Sequence, residues 1–169
     1  MLYILISTII VTAGAIYIAR LVINYKKDNN RRNEQKEYAK MVYPLRVSAY
    51  ERLVLMLSRI EIGNLLAECN DGNLTVIELH SRLISKIRQE FNYNTSQQIF
   101  VSQVAWEMVS NIKETVLQQI NVISSDISPR EDANILSQKL LTDESSEKLR
   151  NSLLNTVNFL KKELADLYW

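Results

Sequence analysis

The two residues best suited to chemistry are Cys69 and His80, the single cysteine and the single histidine of the 169-residue chain. A thiol beside an imidazole is the arrangement that cysteine nucleophiles use, because the imidazole removes the thiol proton. The spacing, however, places His80 on the apolar face of a helix predicted over residues 75–91, where a packed and hydrogen-bonded core histidine is the commoner case. A structural zinc site needs four ligands, usually several cysteines and histidines. We therefore expect neither catalysis through this pair nor a metal site.

The carboxylates offer no better catalytic arrangement. Pairs such as Glu61 with Glu68 have the spacing that is typical of solvated helix faces. Di-iron bundles use Glu-x-x-His on inward faces, and Glu78 is only two residues from His80. The sequence has no phosphate-binding or dinucleotide-binding glycine motif, and three glycines are too few to build such a loop easily. We predict that the protein is not an enzyme and binds no cofactor.

Aromatic and basic side chains are better candidates for binding another protein. Trp106 lies on a flank of a long predicted helix, and aromatic residues of this kind anchor interfaces. The alternative for Trp106 is that its ring fills the core. For the last two residues of the sequence, three roles stay open: docking on the bundle, contact with a partner and contact with a membrane surface. The candidate partner surface consists of Trp106, Arg52, Arg59, Tyr168 and Trp169.

Helices must position these residues, because the sequence combines three glycines and two prolines with abundant helix-forming residues. Amphipathic spacing supports this, since apolar residues recur every three or four positions along most of the chain. We predict a short apolar piece at 65–67 and a turn at Asp71-Gly72. The helices are predicted over 45–60, 75–91, 95–123, 129–142 and 144–168.

Helix starts are indicated by capping boxes, in which Ser or Thr is followed three residues later by Glu or Gln. They occur at Thr75–Glu78, Thr95–Gln98 and Ser128–Glu131, the last with proline at the first helical position. A helix break is expected before Tyr43-Pro44, because a residue that precedes proline avoids the α region. The predicted fold class is all-α, with an N-terminal transmembrane helix followed by an antiparallel bundle of about five helices.

The transmembrane prediction rests on residues 1–19, which carry no charged side chain. A bilayer core needs about 20 apolar residues in a helix, and residues 1–25 supply them if Arg20 extends its guanidinium to the headgroups. A cleaved signal peptide is the alternative, but no basic residue precedes the apolar run. Residues 26–42 are predicted to form a basic juxtamembrane stalk or linker, and residues 43–169 the bundle.

Charge predicts the orientation and the partners. Seven basic and three acidic residues within 1–40 give a net charge of +4, whereas thirteen basic and sixteen acidic residues within 41–169 give −3. Basic residues that flank a span stay in the cytoplasm, so the N-terminus is expected outside and the bundle inside. The acidic bundle argues against nucleic acid as a partner. The residues expected at the membrane interface are Arg20, Lys26, Lys27, Arg31 and Arg32.

Two stretches, YPLRVSAYERLVLMLSRI at 43–60 and NYNTSQQIFVSQVAWEMVSNIKE at 92–114, carry a resemblance to a known group. The sequence resembles an uncharacterised family of short Bacteroidota proteins with one N-terminal membrane helix and a helical domain of unknown function. The resemblance covers most of residues 1–125. It implies a bacterial inner-membrane location, and it carries over no catalytic or binding residue.

Together these patterns predict a single-pass inner-membrane protein whose cytoplasmic bundle is a protein-interaction module, as a scaffold or accessory subunit of an envelope assembly. Two alternatives stay open. One is a self-assembling structural membrane protein, which makes the chain a homo-oligomer. The other is a module that binds lipid surfaces or peptides.

Overall fold

The computed structural model describes the backbone of residues 1–166 and the side chains of that range except at 2, 4–13 and 15. Within residues 1–166 the fold is all-α, as predicted, and the only β-type pairing is an isolated bridge between Thr75 and Asp132. A 3-10 helix covers Thr95–Ile99. The α-helices are α1 (Leu2–Arg59), α2 (Ile62–Cys69), α3 (Val76–Asn94), α4 (Gln103–Ser125), α5 (Ala133–Thr142) and α6 (Glu144–Asp166).

Contacts divide the chain into two compact units, Met1–Pro44 and Leu45–Trp169. In the first unit, twelve of the 25 side chains of the predicted span, at 2, 4–13 and 15, lie outside the described residues. Among the residues whose side chains are described, no helix contains a stretch long and apolar enough to span a membrane.

The predicted break before Pro44 is wrong, because α1 has helical backbone on both sides of this proline. Proline lacks the N–H that would donate to the carbonyl of Lys40. Both residues are exposed, so water can satisfy that carbonyl and the helix tolerates the lost bond.

The helix predicted over 95–123 is also wrong at its start. Residues 95–99 form the 3-10 helix, and α4 begins only after Ser102, whose hydroxyl accepts a hydrogen bond from the N–H of Ala105 at 3.0 Å. Ser102 is extended and is the N-cap of α4. Thr95 instead donates its hydroxyl hydrogen to the carbonyl of Phe91, so this threonine belongs to the end of α3.

The capping box at Thr75 is confirmed, because the N–H of Thr75 donates to Glu78 Oε2 at 2.9 Å. Hydrogen bonds from the hydroxyl and the N–H of Thr75 hold the pKa of the Glu78 carboxyl below its usual range. The helix start predicted from the capping box at Ser128 is wrong, because α5 begins at Ala133 and its N-cap is Asp132. The reason is long-range: the carbonyls of Glu131 and Pro129 accept the N–H groups of Val76 at 2.9 Å and Ile77 at 3.1 Å. Helical backbone at 129–131 would turn these carbonyls away from α3.

The core of the second unit lies among the apolar faces of its helices, with α3 and α6 packed on α4. Of two neighbouring residues on α3, Leu79 is fully buried, whereas His80 is half-buried and its Nε2 lies 2.8 Å from Asn121 Oδ1. The prediction of His80 as a core residue is therefore wrong by one position. The largest fully buried side chains are Tyr50, Leu53, Met56, Leu57, Ile60, Leu65, Leu79, Leu83, Ile87, Ile120, Leu136 and Leu140.

Candidate functional site

The residues predicted at a membrane interface lie in the first unit, on α1. Their side chains are all exposed, which leaves their charge available to solvent or to a ligand. Tyr168 and Trp169 lie outside the described residues. The exposed residues are Arg20, Lys26, Lys27, Arg31 and Arg32.

Trp106 is half-buried at the edge of the core. Its ring packs against Phe91 of α3 with ring centroids 5.2 Å apart, and Lys113 Nζ lies 4.5 Å from the centroid of the Phe91 ring. Aromatic pairs and cations over rings at such distances are attractive. Trp106 thus joins α4 to α3, and part of its surface remains accessible.

The turn between α3 and α4 exposes three large apolar side chains, which we call the apolar corner. Tyr93 is 68% exposed on the last turn of α3, Ile99 is 74% exposed at the end of the 3-10 helix, and Val104 is 54% exposed on the first turn of α4. Trp106 lies half a turn beyond Val104. All three residues of the apolar corner lie within residues 93–104, around this turn, and clusters of exposed apolar side chains are typical of interaction sites.

The two predicted arginines of α1 have different surroundings. Arg52 is exposed. Arg59 donates from Nη1 to Oε2 of Glu90, at 3.2 Å, and the other carboxylate oxygen of Glu90 lies 3.2 Å from Lys86 Nζ. Lys86 also pairs with Glu68 of α2. This charged cluster joins α1, α2 and α3 around a carboxylate that is only 4% exposed, so Arg59 has a structural partner.

A groove runs between α1 and α6. It encloses about 500 Å³ and is mostly apolar. Leu55, at 55% exposure, is its most accessible apolar side chain, and the charged residues at its edges belong to different helices. The lining residues are Tyr50, Glu51, Val54 and Leu55 of α1 and Leu160, Lys161 and Leu164 of α6. We call this feature the α1–α6 groove.

Beneath the groove, the Tyr50 hydroxyl and Oε2 of Glu163 are both buried, and neither makes a hydrogen bond among the described residues. Burial raises the pKa of Tyr50 to about 12, and the neighbouring Glu163 adds to the rise, since negative charge opposes formation of a phenolate. The phenol of Tyr50 is therefore protonated at neutral pH.

This pair predicts a dependence of stability on alkaline pH. The folded-state pKa of Tyr50 exceeds its unfolded value of about 10, so its contribution is complete below pH 10 and is lost as the pH approaches 12. We expect the wild type to lose about 2 kcal/mol more than Tyr50→Phe between pH 9 and pH 12. Urea unfolding followed by tryptophan fluorescence measures the difference. Equal losses in both proteins would contradict the assignment.

The structure gives Cys69 and His80 different neighbours. Cys69 is buried at the end of α2, and burial raises the pKa of its thiol, which disfavours the nucleophilic thiolate. Among the described residues, no three Cys, His, Asp or Glu side chains come together as metal ligands. The geometry around these two residues therefore supports packing and hydrogen bonding.

Two of these features were not predicted from the sequence. The charged cluster around Glu90 had one local signal, the spacing of four residues between Lys86 and Glu90, which is favourable on a helix. The apolar corner had no periodic signal, because Ile99 lies outside the α-helices.

The fold and these sites define an all-α helical bundle with an exposed apolar corner and an apolar groove between its first and last helices. The chain belongs to the Family of unknown function (DUF7935), whose model matches residues 1–167. Comparison with curated proteins and with solved structures gave no match.

Proposed function

We propose that this protein is a single-pass protein of a bacterial inner membrane whose cytoplasmic bundle binds another protein through the apolar corner. In this proposal the bundle is a scaffold or an accessory subunit of an envelope assembly, and it is not an enzyme. The uncharged residues 1–19 and the seven basic residues within 20–40 support the span and its orientation. The sequence resemblance supports a Bacteroidota source.

The observation that carries the binding proposal is the exposure of Tyr93, Ile99 and Val104 at one corner of the bundle. A side chain such as Ile99, three quarters exposed, gains about 25 cal/mol for each Å² of apolar area that a partner covers. Trp106, two residues beyond Val104 and half-buried on a different face of α4, offers a further aromatic side chain of the kind that interfaces favour. The raised pKa of the buried Cys69 thiol disfavours its use as a nucleophile.

A photo-crosslinking amino acid at position 99 of the full-length chain tests the proposal in intact cells. We expect one reproducible adduct with a different protein, identified by mass spectrometry, because Ile99 is at the centre of the corner. Leu141 is the matched control: it is a 59% exposed apolar residue on α5. We expect no such adduct from position 141, and a Val104→Asp change should abolish the adduct from position 99.

The topology serves as a second control. A C-terminal tag should resist protease in spheroplasts and become sensitive after lysis. Identical adducts from positions 99 and 141, or none from position 99, would overturn the binding proposal. A tag that is cleaved before lysis would overturn the orientation.

A further inference from the structure

The α1–α6 groove carries charges of opposite sign on its two walls. Glu51 lies on the α1 wall and Lys161 lies on the α6 wall, both exposed, and the same groove is lined by Val54, Leu55 and Leu164. A surface with an acid on one wall and a base on the other is complementary to a rotated copy of the same surface. An interface related by a two-fold axis requires this property, because residue i must meet residue j and residue j must meet residue i.

We propose that the α1–α6 groove is a homodimer interface, in which each copy covers the groove of the other. A two-fold axis along the groove lays α1 of one copy over α6 of its partner. Glu51 of each copy then faces Lys161 of the other, so both ion pairs form at once. The four helices make a bundle whose centre is apolar and whose edges carry opposite charges, as in packed helical oligomers.

The exposure of the groove residues agrees with this arrangement. Leu55 is 55% exposed although Tyr50 and Leu160, which line the same groove, are fully buried. A facing copy removes Leu55 from water and fills the volume of about 500 Å³ with apolar side chains. The groove and the apolar corner have no residue in common.

Charge reversal in the full-length chain, purified in detergent, tests the proposal by light scattering after size exclusion. We expect a dimer for the wild type, and dissociation at least about tenfold easier for Glu51→Lys or Lys161→Glu, since each change places two like-charged pairs in the interface. The double variant E51K/K161E should restore the dimer, because it exchanges the two charges and recreates both pairs.

Two apolar variants complete the test. Leu55→Asp should give a monomer, whereas Leu141→Asp, at a similarly exposed position on α5, should leave the dimer intact. Circular dichroism checks that every variant retains its helices. A monomeric wild type, or a dimer that charge reversal leaves unchanged, overturns the proposal; so does failure of E51K/K161E to restore a dimer that the single changes disrupt. Crosslinking from position 99 is independent of these results, so the two proposals can fail separately.

Discussion

Leu79→Ala should lower the free energy of unfolding by about 2–5 kcal/mol, because the change removes a fully buried side chain and leaves a cavity in the core. His80→Ala is the matched control. The neighbouring imidazole is half-buried and its loss removes one hydrogen bond with Asn121, which is worth about 1 kcal/mol. Urea unfolding of the full-length chain, followed by tryptophan fluorescence, measures both values.

The comparison also decides which face of α3 supports the bundle. The sequence pattern indicated His80, whereas the structure buries Leu79. A greater loss from His80→Ala than from Leu79→Ala would mean that α3 is rotated by one position from the described packing.

The second large effect is expected at Glu90, the acid at the centre of the charged cluster. Glu90→Ala leaves the partly buried Lys86 without its i,i+4 acid and removes the partner of Arg59. We expect a loss of about 2–3 kcal/mol, below the usual cost of breaking a buried ion pair because Arg59 is more than half exposed and can regain water. Unfolding in urea at neutral pH gives the number.

Two controls separate the effect of burial from the effect of charge. Glu114→Ala removes a carboxylate that is paired with Lys113 but exposed, and should cost less than about 0.5 kcal/mol. The double change E90L/K86L replaces the buried pair with apolar side chains and should cost less than Glu90→Ala alone, because the two charges that lose a partner, Arg59 and Glu68, are both more than half exposed. If Glu90→Ala and Glu114→Ala cost the same, the cluster does not stabilise the fold.

The sequence predicted the start of α3, whose capping bonds are local. Thr75 and Glu78 lie three residues apart, so their bonds need only one turn of helix. The local bond between Ser102 and Ala105 at the start of α4 was missed, because the similar pattern at Thr95 indicated an earlier start. The start of α5 was predicted wrongly, because residues 129–131 form backbone hydrogen bonds with a distant segment and not within a helix. The carbonyls of Pro129 and Glu131 serve the first turn of α3, more than fifty residues earlier, and no local pattern announces this.

The same distinction explains the candidate sites. The sequence indicated Arg59 and Trp106 individually, since each lies on a recognisable flank of an amphipathic helix. It did not show that Arg59 meets Glu90, 31 positions later, or that Tyr50 and Glu163 share one buried position. Contacts of this kind depend on how helices cross, and helix crossing is decided by packing across the whole bundle.

The isolated bridge between Thr75 and Asp132 has a consequence for how the bundle opens. The N–H groups of Val76 and Ile77 donate to the segment before α5, and the N–H of Ala133 donates back to the carbonyl of Leu74. Because these hydrogen bonds run in both directions, neither segment can move away without breaking the bonds of the other. The first turns of α3 and α5 thus form one cooperative unit, and their amide protons are protected from exchange by a single opening event.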